Sequence, residues 1–525
     1  MYLRQVEKIR RCHIDENPNT SDVHADPLRN EVLDRLRSVQ IGTRQLDRVG
    51  TLRAMGVIVG AACGDALGAP FEFGQAGRLS AQFPTSVVGG TGEMVGGGTF
   101  GWEPGEFTDD TQMAVVLAES LLAHGGFEPD QLFRAWQDWA GGAVDVGTTT
   151  RGALNADDWK RAAPTAHLAT GRTAANGALM RVFPVIVLAA GLEAHLGRWT
   201  GVMLARAQAS LTHHDPAAGW GAAVAVEAGR RLVLGEGVEA AVDGALAELP
   251  DDQRDLFEDL LSPRWQPSDH EAPSNGSVWG CLAQAVWALR QGDDFESTLR
   301  AAIDLGGDTD TVACVAGALA GAKFGIVGIP SRWTTYVHGR APIEGTERYF
   351  DNEGLQSLAR QLLGKSDPYP AASESHAGPT EIAPGLFAAS LPGAAAHIAA
   401  GETEVAVLSL CRTEGQFGHL EIRRECYLID KEGDHNPRLD LVVADAVDTV
   451  DAWLDEGRRV IVHCHGGRSR TGLILLAWAM RRHRWTLAEA QTWLRGLWPR
   501  YDDWNSSFST FLLEEWQGDW AVGAD

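Results

Sequence analysis

The chain has 525 residues, a formal net charge of −25 and 44% hydrophobic residues, the balance of a soluble globular protein long enough for more than one domain. A negative field of that size disfavours bulk contact with nucleic acid and anionic membranes. The seven cysteines are dispersed without a C-x-x-C pair, which excludes a disulfide framework and structural zinc. No apolar run of about 20 residues is evident. The N-terminus has basic residues but no apolar signal core. A cytoplasmic location without a membrane partner is the expectation.

In chain order, residues 1–50 are polar and read as an arm. Residues 51–363 are rich in Ala, Leu and Gly, with apolar positions recurring every three and four residues in TQMAVVLAESLLAH, AAVAVEAGRRLVLG and TVACVAGALAGAKFG. That period predicts an all-α domain. Residues 364–379 carry the Pro, Ser, Gly and Ala of a linker. From 380 to 525 the pattern changes. EVAVLSLC, ECYLID and RRVIVHC read as strands, and VADAVDTVDAWLDEG, GLILLAWAMRR and LAEAQTWLRGL as helices. Alternation of this kind predicts a smaller α/β domain with a central, mostly parallel sheet. The chain is thus expected to be multidomain.

Two short stretches of the first domain concentrate acids and hydroxyls. One is Glu106-Phe107-Thr108-Asp109-Asp110-Thr111 and the other Gly306-Gly307-Asp308-Thr309-Asp310-Thr311. Each directly precedes an apolar helical run, so each alone reads as an N-cap. Together they suggest more, because clustered carboxylates repel unless a cation offsets them. Hard oxygen donors of this type suit Mg²⁺ or Mn²⁺. If brought face to face, the two clusters would suit a pair of divalent ions ~3.5–4 Å apart.

MGVIVGAACGDALGAPFEF (55–73), FTDDTQMA (107–114), NGALMRVFP (176–184), LTHHDP (211–216) and GGDTDTVACVAGALAGAKFG (306–325) follow one another in an order that resembles the ADP-ribosylglycohydrolases. The resemblance covers about residues 51–345. It implies an all-α domain with a binuclear metal centre that hydrolyses ADP-ribosyl linkages on a protein or small-molecule substrate. It makes Thr108, Asp109 and Asp110 ligands from one side and Asp308, Asp310 and Thr311 ligands from the other. Glu72 matches a glutamate that closes over the site and assists catalysis, with a surface glutamate at a helix end as the bland alternative. Asp65 matches a supporting residue, and Asp145, in VDVGTTT, an acid that protonates the ribose ring oxygen. Asn176, Gly177, Met180 and His213 would line the nucleotide pocket. Gly306 and Gly307 would let backbone approach the pyrophosphate near a helix N-terminus.

In the second domain, VIVHCHGGRSRTG (460–472) places Cys464 six residues before Arg470 across a Gly-rich turn. A strand delivers the cysteine and a helix follows the arginine, so the intervening N–H groups form an anion nest, with Gly467 permitting the tight path. Arg470 can hold two phosphate oxygens. The pattern His463-Cys464-His465-Gly466-Gly467-Arg468-Ser469-Arg470-Thr471 resembles the HC-x-x-G-x-x-R-[ST] loop of tyrosine and dual-specificity phosphatases, over roughly 380–518. That resemblance implies a phosphocysteine mechanism on a phosphorylated substrate. Cys464 would be the nucleophile, Arg470 the clamp, Gly466, Gly467 and Ser469 parts of the cradle, and Thr471 an aid to hydrolysis. A general acid is needed. Asp434, 30 residues before Cys464, fits better than Asp430. Two readings follow: a bifunctional hydrolase, or a module that binds ADP-ribose and phosphate with one or both domains inactive.

Overall fold

Small residues decide the centre of the first domain. The computed structural model describes residues 23–516, apart from 90, 172, 269–273, 366–376, 402–403, 414, 434 and 437. Three helices organise this domain: α1 (Arg48–Gly68), α2 (Asp109–His124) and α3 (Thr309–Phe324). On α1, Gly56, Gly60, Gly64 and Gly68 recur at four-residue spacing and so share one face. That face meets α3 in antiparallel sense. A Cβ on Gly64 would lie 2.0 Å from the Ala313 carbonyl oxygen, and one on Gly60 2.5 Å from that of Gly317. Only hydrogen fits there, so the two backbones touch. The C-terminal end of α1 is thereby fixed against the N-terminal end of α3.

The α1 segment also corrects one expectation. Arg48–Phe71 is long and apolar enough to cross a membrane. Here it is the buried axis of the domain, surrounded by core residues on every side, which is why its apolar residues favour no single face. A second correction concerns the polar arm. Val23, Val32, Leu33, Leu36 and Val39 are buried in the same core, so residues 23–47 belong to the helical body. Residues 1–22 lie outside the described residues.

The helical expectation holds with one addition, an antiparallel hairpin of β1 (His338–Ile343) and β2 (Thr346–Asp351). Its two-residue turn, Glu344-Gly345, has positive φ at both positions, the geometry that matches strand twist. HGRAPI and TERYFD lack a clean apolar alternation, so no period revealed them. Helix α4 (Asn352–Leu362) follows directly.

The second domain has its own core and a five-stranded sheet in the order β3-β4-β7-β5-β6. The strands are β3 (Thr380–Ala383), β4 (Leu386–Ser390), β5 (Ala406–Ser409), β6 (Arg423–Glu425) and β7 (Val460–Cys464). Only the β3–β4 pair is antiparallel. β7 is buried along its whole length, as an apolar central strand must be. Helices α5 (Leu439–Asp455) and α6 (Ser469–His483) cover the sheet.

The strand expected over 425–430 ends at Glu425. Beyond it, the Asn436 side chain holds both the N–H (2.7 Å) and the C=O (2.9 Å) of Ile429 and turns the chain into a loop. Edge strand β6 docks on the first domain. Tyr336 Oη donates to the Glu421 carbonyl (2.9 Å), Glu425 N–H donates to Thr335 Oγ1 (3.2 Å), and Arg424 donates to the Val88 carbonyl (2.8 Å). An exposed edge is covered in this way.

Candidate active sites

Neither acid-rich turn caps its helix with a side chain. Thr108 stands at the N-cap of α2 and Asp308 at that of α3, and neither makes a side-chain capping bond. The Thr108 hydroxyl donates instead to Asp65 Oδ1 (2.8 Å), and Asp308 Oδ2 accepts from Asn176 Nδ2 (2.8 Å). Neither turn therefore serves as a cap, and the two meet in one acidic cluster.

Asp65, at the buried end of α1, organises the α2 turn. Its carboxylate accepts from the backbone N–H groups of Thr108 and Thr111 (each 3.0 Å) and from the Thr111 hydroxyl (2.6 Å). With its oxygens so occupied, Asp65 supports the site rather than facing it. Asp110 Oδ2 joins the two turns, accepting from Thr311 Oγ1 at 3.4 Å and lying 3.4 Å from Thr108 Oγ1. Glu72, Asp308 and Asp310 each offer an oxygen within 4.8 Å of the others.

Burial and mutual repulsion give this cluster its electrostatics. Burial, then the charges of Asp308, Asp145 and Asp65, push Glu72 up to about 8. Asp109, Asp110 and Asp310 stand well above the ordinary carboxylate range, mainly through burial and then through neighbouring acids, led by Asp145, Asp65 and Asp308 respectively. Burial raises Asp65 to about 6, and the bonds from Thr111 and Thr108 pull it back. Asp145 is raised by burial and by Asp308, which places it within electrical reach of the cluster. Among the described residues, Asp110 Oδ1 and Glu72 Oε2 are buried without a hydrogen-bond partner. Buried acids with orphaned oxygens and an all-oxygen donor set fit hard divalent cations.

The pocket residues divide into several roles. Asn176 also donates to the Asn275 carbonyl (3.0 Å), so it positions Asp308. His213 is buried. Burial, with Arg181 adding, pulls it down to about 3, so it is neutral. Its Nδ1 lies 2.8 Å from Thr212 Oγ1, which accepts from Arg181 (2.7 Å). The His213 Nε2 is buried without a hydrogen-bond partner among the described residues. A Cβ on Gly177 would come within 3.3 Å of that Nε2. The Met180 side chain is buried in the core.

Gly306 and Gly307 depart from expectation. Their N–H groups are taken by the carbonyls of Ile303 (3.1 Å) and Gly74 (3.0 Å), so they do not face a pyrophosphate. Gly307 instead pairs with Gly74 and accepts from Phe73 N–H (2.7 Å), stitching the Glu72 loop to α3. Both glycines have φ near +75°, which that turn requires.

Two further residues, which no local motif marks as functional, shape the first site. Phe73 has φ +58° and is 67% exposed beside Glu72, a strained backbone for an aromatic residue. Asn275 holds the Gly306 carbonyl (2.8 Å) and accepts from Asp308 N–H (3.3 Å). Its Asn-Gly dipeptide is a turn signal that precedes a helix start.

The second site is built on the turn from β7 into α6. The His465 carbonyl accepts from Leu391 N–H (3.3 Å), that of Gly466 from Arg500 (3.3 Å), and that of Gly467 from Trp498 Nε1 (2.7 Å). Because peptides are planar and trans, outward carbonyls turn the following N–H groups inward. This is the nest expected from the spacing. Gly467 has φ +63°, and a Cβ there would lie 2.6 Å from the Ala389 carbonyl oxygen. Cys464, Ser469 and Thr471 are buried in the loop. His463, held neutral by burial, meets Ser409 Oγ at 2.8 Å and orients the loop entry.

Arg470 donates to the carbonyls of Leu410 (3.3 Å) and Leu428 (3.2 Å), and its Nε lies 3.8 Å from Asp430. Asp430 also accepts from Asn505 Nδ2 (3.3 Å). Of the two candidate acids, Asp430 is therefore beside the clamp, and Asp434 lies outside the described residues.

Comparison with known proteins agrees with both domains. The ADP-ribosylglycohydrolase family model matches residues 48–371, and the dual specificity phosphatase catalytic-domain model matches residues 412–510. The chain is 32% identical over 285 residues to the ADP-ribosyl-(dinitrogen reductase) glycohydrolase of Rhodospirillum rubrum, covering 54% of this chain and 88% of that protein. It is 29% identical over 342 residues to the ADP-ribosylarginine hydrolase Tri1 of Pseudomonas putida (strain GB-1), covering 60% and 78%. A 58-residue stretch is 36% identical to the protein-tyrosine-phosphatase IBR5 of Arabidopsis thaliana, 11% of this chain and 23% of that one. With the helical core, the facing acidic turns and the family match in agreement, the chain belongs to the ADP-ribosylglycohydrolase family and carries a dual specificity phosphatase domain behind it.

Proposed function

We propose that the protein is a bifunctional hydrolase, in which the first domain cleaves an ADP-ribosyl linkage and the second removes a phosphoryl group through Cys464. The observation that carries the first half is the convergence of the two acidic turns in one buried cluster, joined at Asp110. Thr108, Asp109, Asp110, Asp308, Asp310 and Thr311 would hold two divalent ions, Mg²⁺ or Mn²⁺. Bound there, the ions supply Lewis acidity at the ribose and orient its hydroxyls.

The chain's own residues do the rest. Asp65 fixes the α2 turn and Asn176 fixes Asp308, so the donors keep their directions. Glu72, on a loop tied to Gly307, assists attack at the anomeric carbon, and Asp145 protonates the ribose ring oxygen. His213 lines the nucleotide side, with its Nε2 edge toward Gly177. The relative that acts on ADP-ribosylarginine makes that linkage the first to test.

In the second domain, Cys464 Sγ forms a bond to phosphorus as the ester P–O bond breaks. The leaving oxygen takes a proton from the acid, Asp430 or Asp434. Water then cleaves the S–P bond, aided by the Thr471 hydroxyl, and inorganic phosphate leaves. The inward N–H groups and Arg470 stabilise charge on the transferring group.

The test supplies purified protein with an ADP-ribosyl-arginine peptide in Mg²⁺ or EDTA, and separately with p-nitrophenyl phosphate. Release of ADP-ribose that needs metal and is abolished by Asp308→Ala is expected. So is nitrophenol release abolished by Cys464→Ser. Tight binding of either substrate without turnover would establish the binding-module reading instead.

A further inference from the structure

The loop that carries the candidate general acids has no ladder of its own. Among the described residues, the chain from the end of β6 to the start of α5 forms no helix or strand. Its tip, Lys431-Glu432-Gly433, is exposed. The second domain holds it mainly through side chains. Asn505 Nδ2 reaches Asp430 (3.3 Å), Ser506 Oγ donates to Glu432 (2.9 Å), and Gly433 N–H donates to Ser507 Oγ (2.7 Å). The Asn436 amide closes the neck of the loop on Ile429.

The first domain grips both ends. Ahead of Asp430, Glu353 on α4 accepts from Thr413 N–H (3.3 Å) and lies 3.1 Å from Tyr427 Oη. Glu425 lies 2.7 Å from the same hydroxyl. Burial, then the charges of Glu425 and Glu353, push the Tyr427 hydroxyl well above its ordinary value, so it keeps its proton between the two carboxyl groups. Beyond Asp430, Arg48 at the start of α1 donates through Nε to the His435 carbonyl. Further on, Ser331 N–H of the first domain donates to Asp445 of α5 (3.1 Å). Loop entry, loop exit and the helix that follows are thus each tied to the first domain. Arg48, Tyr427, Asp430, Asn436 and Arg470 line one cavity, so the ties lie beside the acid and the clamp.

A general acid works only within hydrogen-bond reach of the leaving oxygen, and a displacement of about 1 Å can cost about 100-fold. A loop without a ladder fixes its acid only as well as its ends are fixed. We infer that Arg48 and Glu353 of the first domain are positioning residues for the phosphatase reaction: they hold the two ends of the general-acid loop, so proton delivery to the leaving group depends on the docked first domain. Each acts through the loop and not on the phosphoryl group. The inference covers either acid, since Asp430 and Asp434 both fall between Tyr427 and His435 in the chain. Losing a tie then costs most where the leaving group most needs a proton.

This inference rests on the phosphatase reading, and one experiment separates the two. Full-length wild type, Arg48→Met, Arg48→Lys and Glu353→Ala are assayed on phenyl phosphate and on p-nitrophenyl phosphate. Phenolate is the poorer leaving group, so its ester depends more on the acid. Arg48→Met and Glu353→Ala are each expected to lower kcat/KM for phenyl phosphate at least tenfold more than for p-nitrophenyl phosphate. Arg48→Lys keeps a donor for the His435 carbonyl and is expected to restore most of the loss. Arg48 is partly exposed, so its variants keep the test readable if Glu353→Ala lowers the melting midpoint. Equal losses on the two esters, no loss on either, or an Arg48→Lys as impaired as Arg48→Met overturns the inference alone, because p-nitrophenyl phosphate turnover by the wild type still supports the phosphatase reading. A wild type that does not turn over p-nitrophenyl phosphate overturns that reading and the inference with it.

Discussion

The Thr311 hydroxyl at the start of α3 donates to Asp110 Oδ2 at the start of α2 across 3.4 Å. The two residues are 201 positions apart in the chain, and this contact joins the two acidic turns into one site. It exists because α1 and α3 approach backbone to backbone, which sets the height at which the α3 turn meets Asp65 and its threonines.

That approach is testable at Gly64. A methyl group there would lie 2.0 Å from the Ala313 carbonyl, a backbone atom that cannot swing aside. Gly64→Ala is expected to destabilise the first domain by about 1–3 kcal/mol or more. Urea unfolding reads the loss. Weaker Mg²⁺ binding should accompany it, because Asp65 is the next residue.

Asp65 itself holds the threonines rather than an ion. Asp65→Asn keeps the shape but turns one acceptor into a donor facing the Thr108 and Thr111 N–H groups. Metal affinity is expected to fall about 10–100-fold, the usual cost of losing an outer support. Calorimetric titration with Mn²⁺ measures it. Unchanged affinity would show that the turn needs no such anchor.

The raised carboxyls predict a pH dependence of known sign. Asp65 stands at about 6 and Glu72 at about 8, above ordinary carboxylate values, so the folded metal-free protein binds more protons than the unfolded chain. Their contribution is fully present below about pH 4 and is lost as pH rises through those raised values. The melting midpoint of EDTA-treated protein should therefore gain less, or fall, between pH 5 and 8 relative to protein in Mg²⁺. Cation binding replaces the protons, so the midpoint shift on adding Mg²⁺ should be larger at pH 8 than at pH 5. Equal shifts at both values would count against a carboxylate-held ion.

Phe73 carries its backbone strain next to Glu72. Phe73→Gly relieves the positive φ and is expected to raise stability by up to about 1 kcal/mol while lowering ADP-ribose release. A variant that is more stable and equally active would assign the strain to the loop alone.

The general acid of the second site is separable by leaving group. Asp430→Asn is expected to slow hydrolysis of an alkyl phosphate by roughly 100- to 10,000-fold and that of p-nitrophenyl phosphate far less, since nitrophenolate leaves without a proton. If Asp434→Asn shows this signature and Asp430→Asn does not, Asp434 is the acid.

Much of this protein is legible along the chain. The spacing from Cys464 to Arg470, the two acid-rich turns before apolar helices, and the shift from helical to alternating periods at the linker all lie within short windows. Local rules act over those distances, so they found the loop, the ligand candidates and the two fold classes. They failed where side chains are diverted. Thr108 and Asp308 look like caps in sequence, because capping is the local use of such residues. Only a partner brought from elsewhere, Asp65 or Asn176, shows that they serve a pocket. The same holds for Gly306 and Gly307, whose N–H groups bond to Ile303 and to the Glu72 loop.

The sequence by itself determined the chemistry each segment can offer: an oxygen-rich pair of turns and a thiol at the mouth of an anion nest. The tertiary structure decided what those groups face. Glycine-to-glycine contact between α1 and α3 brought the turns together, and docking of β6 on Thr335 and Tyr336 set the first domain opposite the phosphatase loop. The reason is physical: donor type and helix or strand period are properties of neighbouring residues, whereas a shared pocket or a facing wall depends on packing between segments hundreds of residues apart.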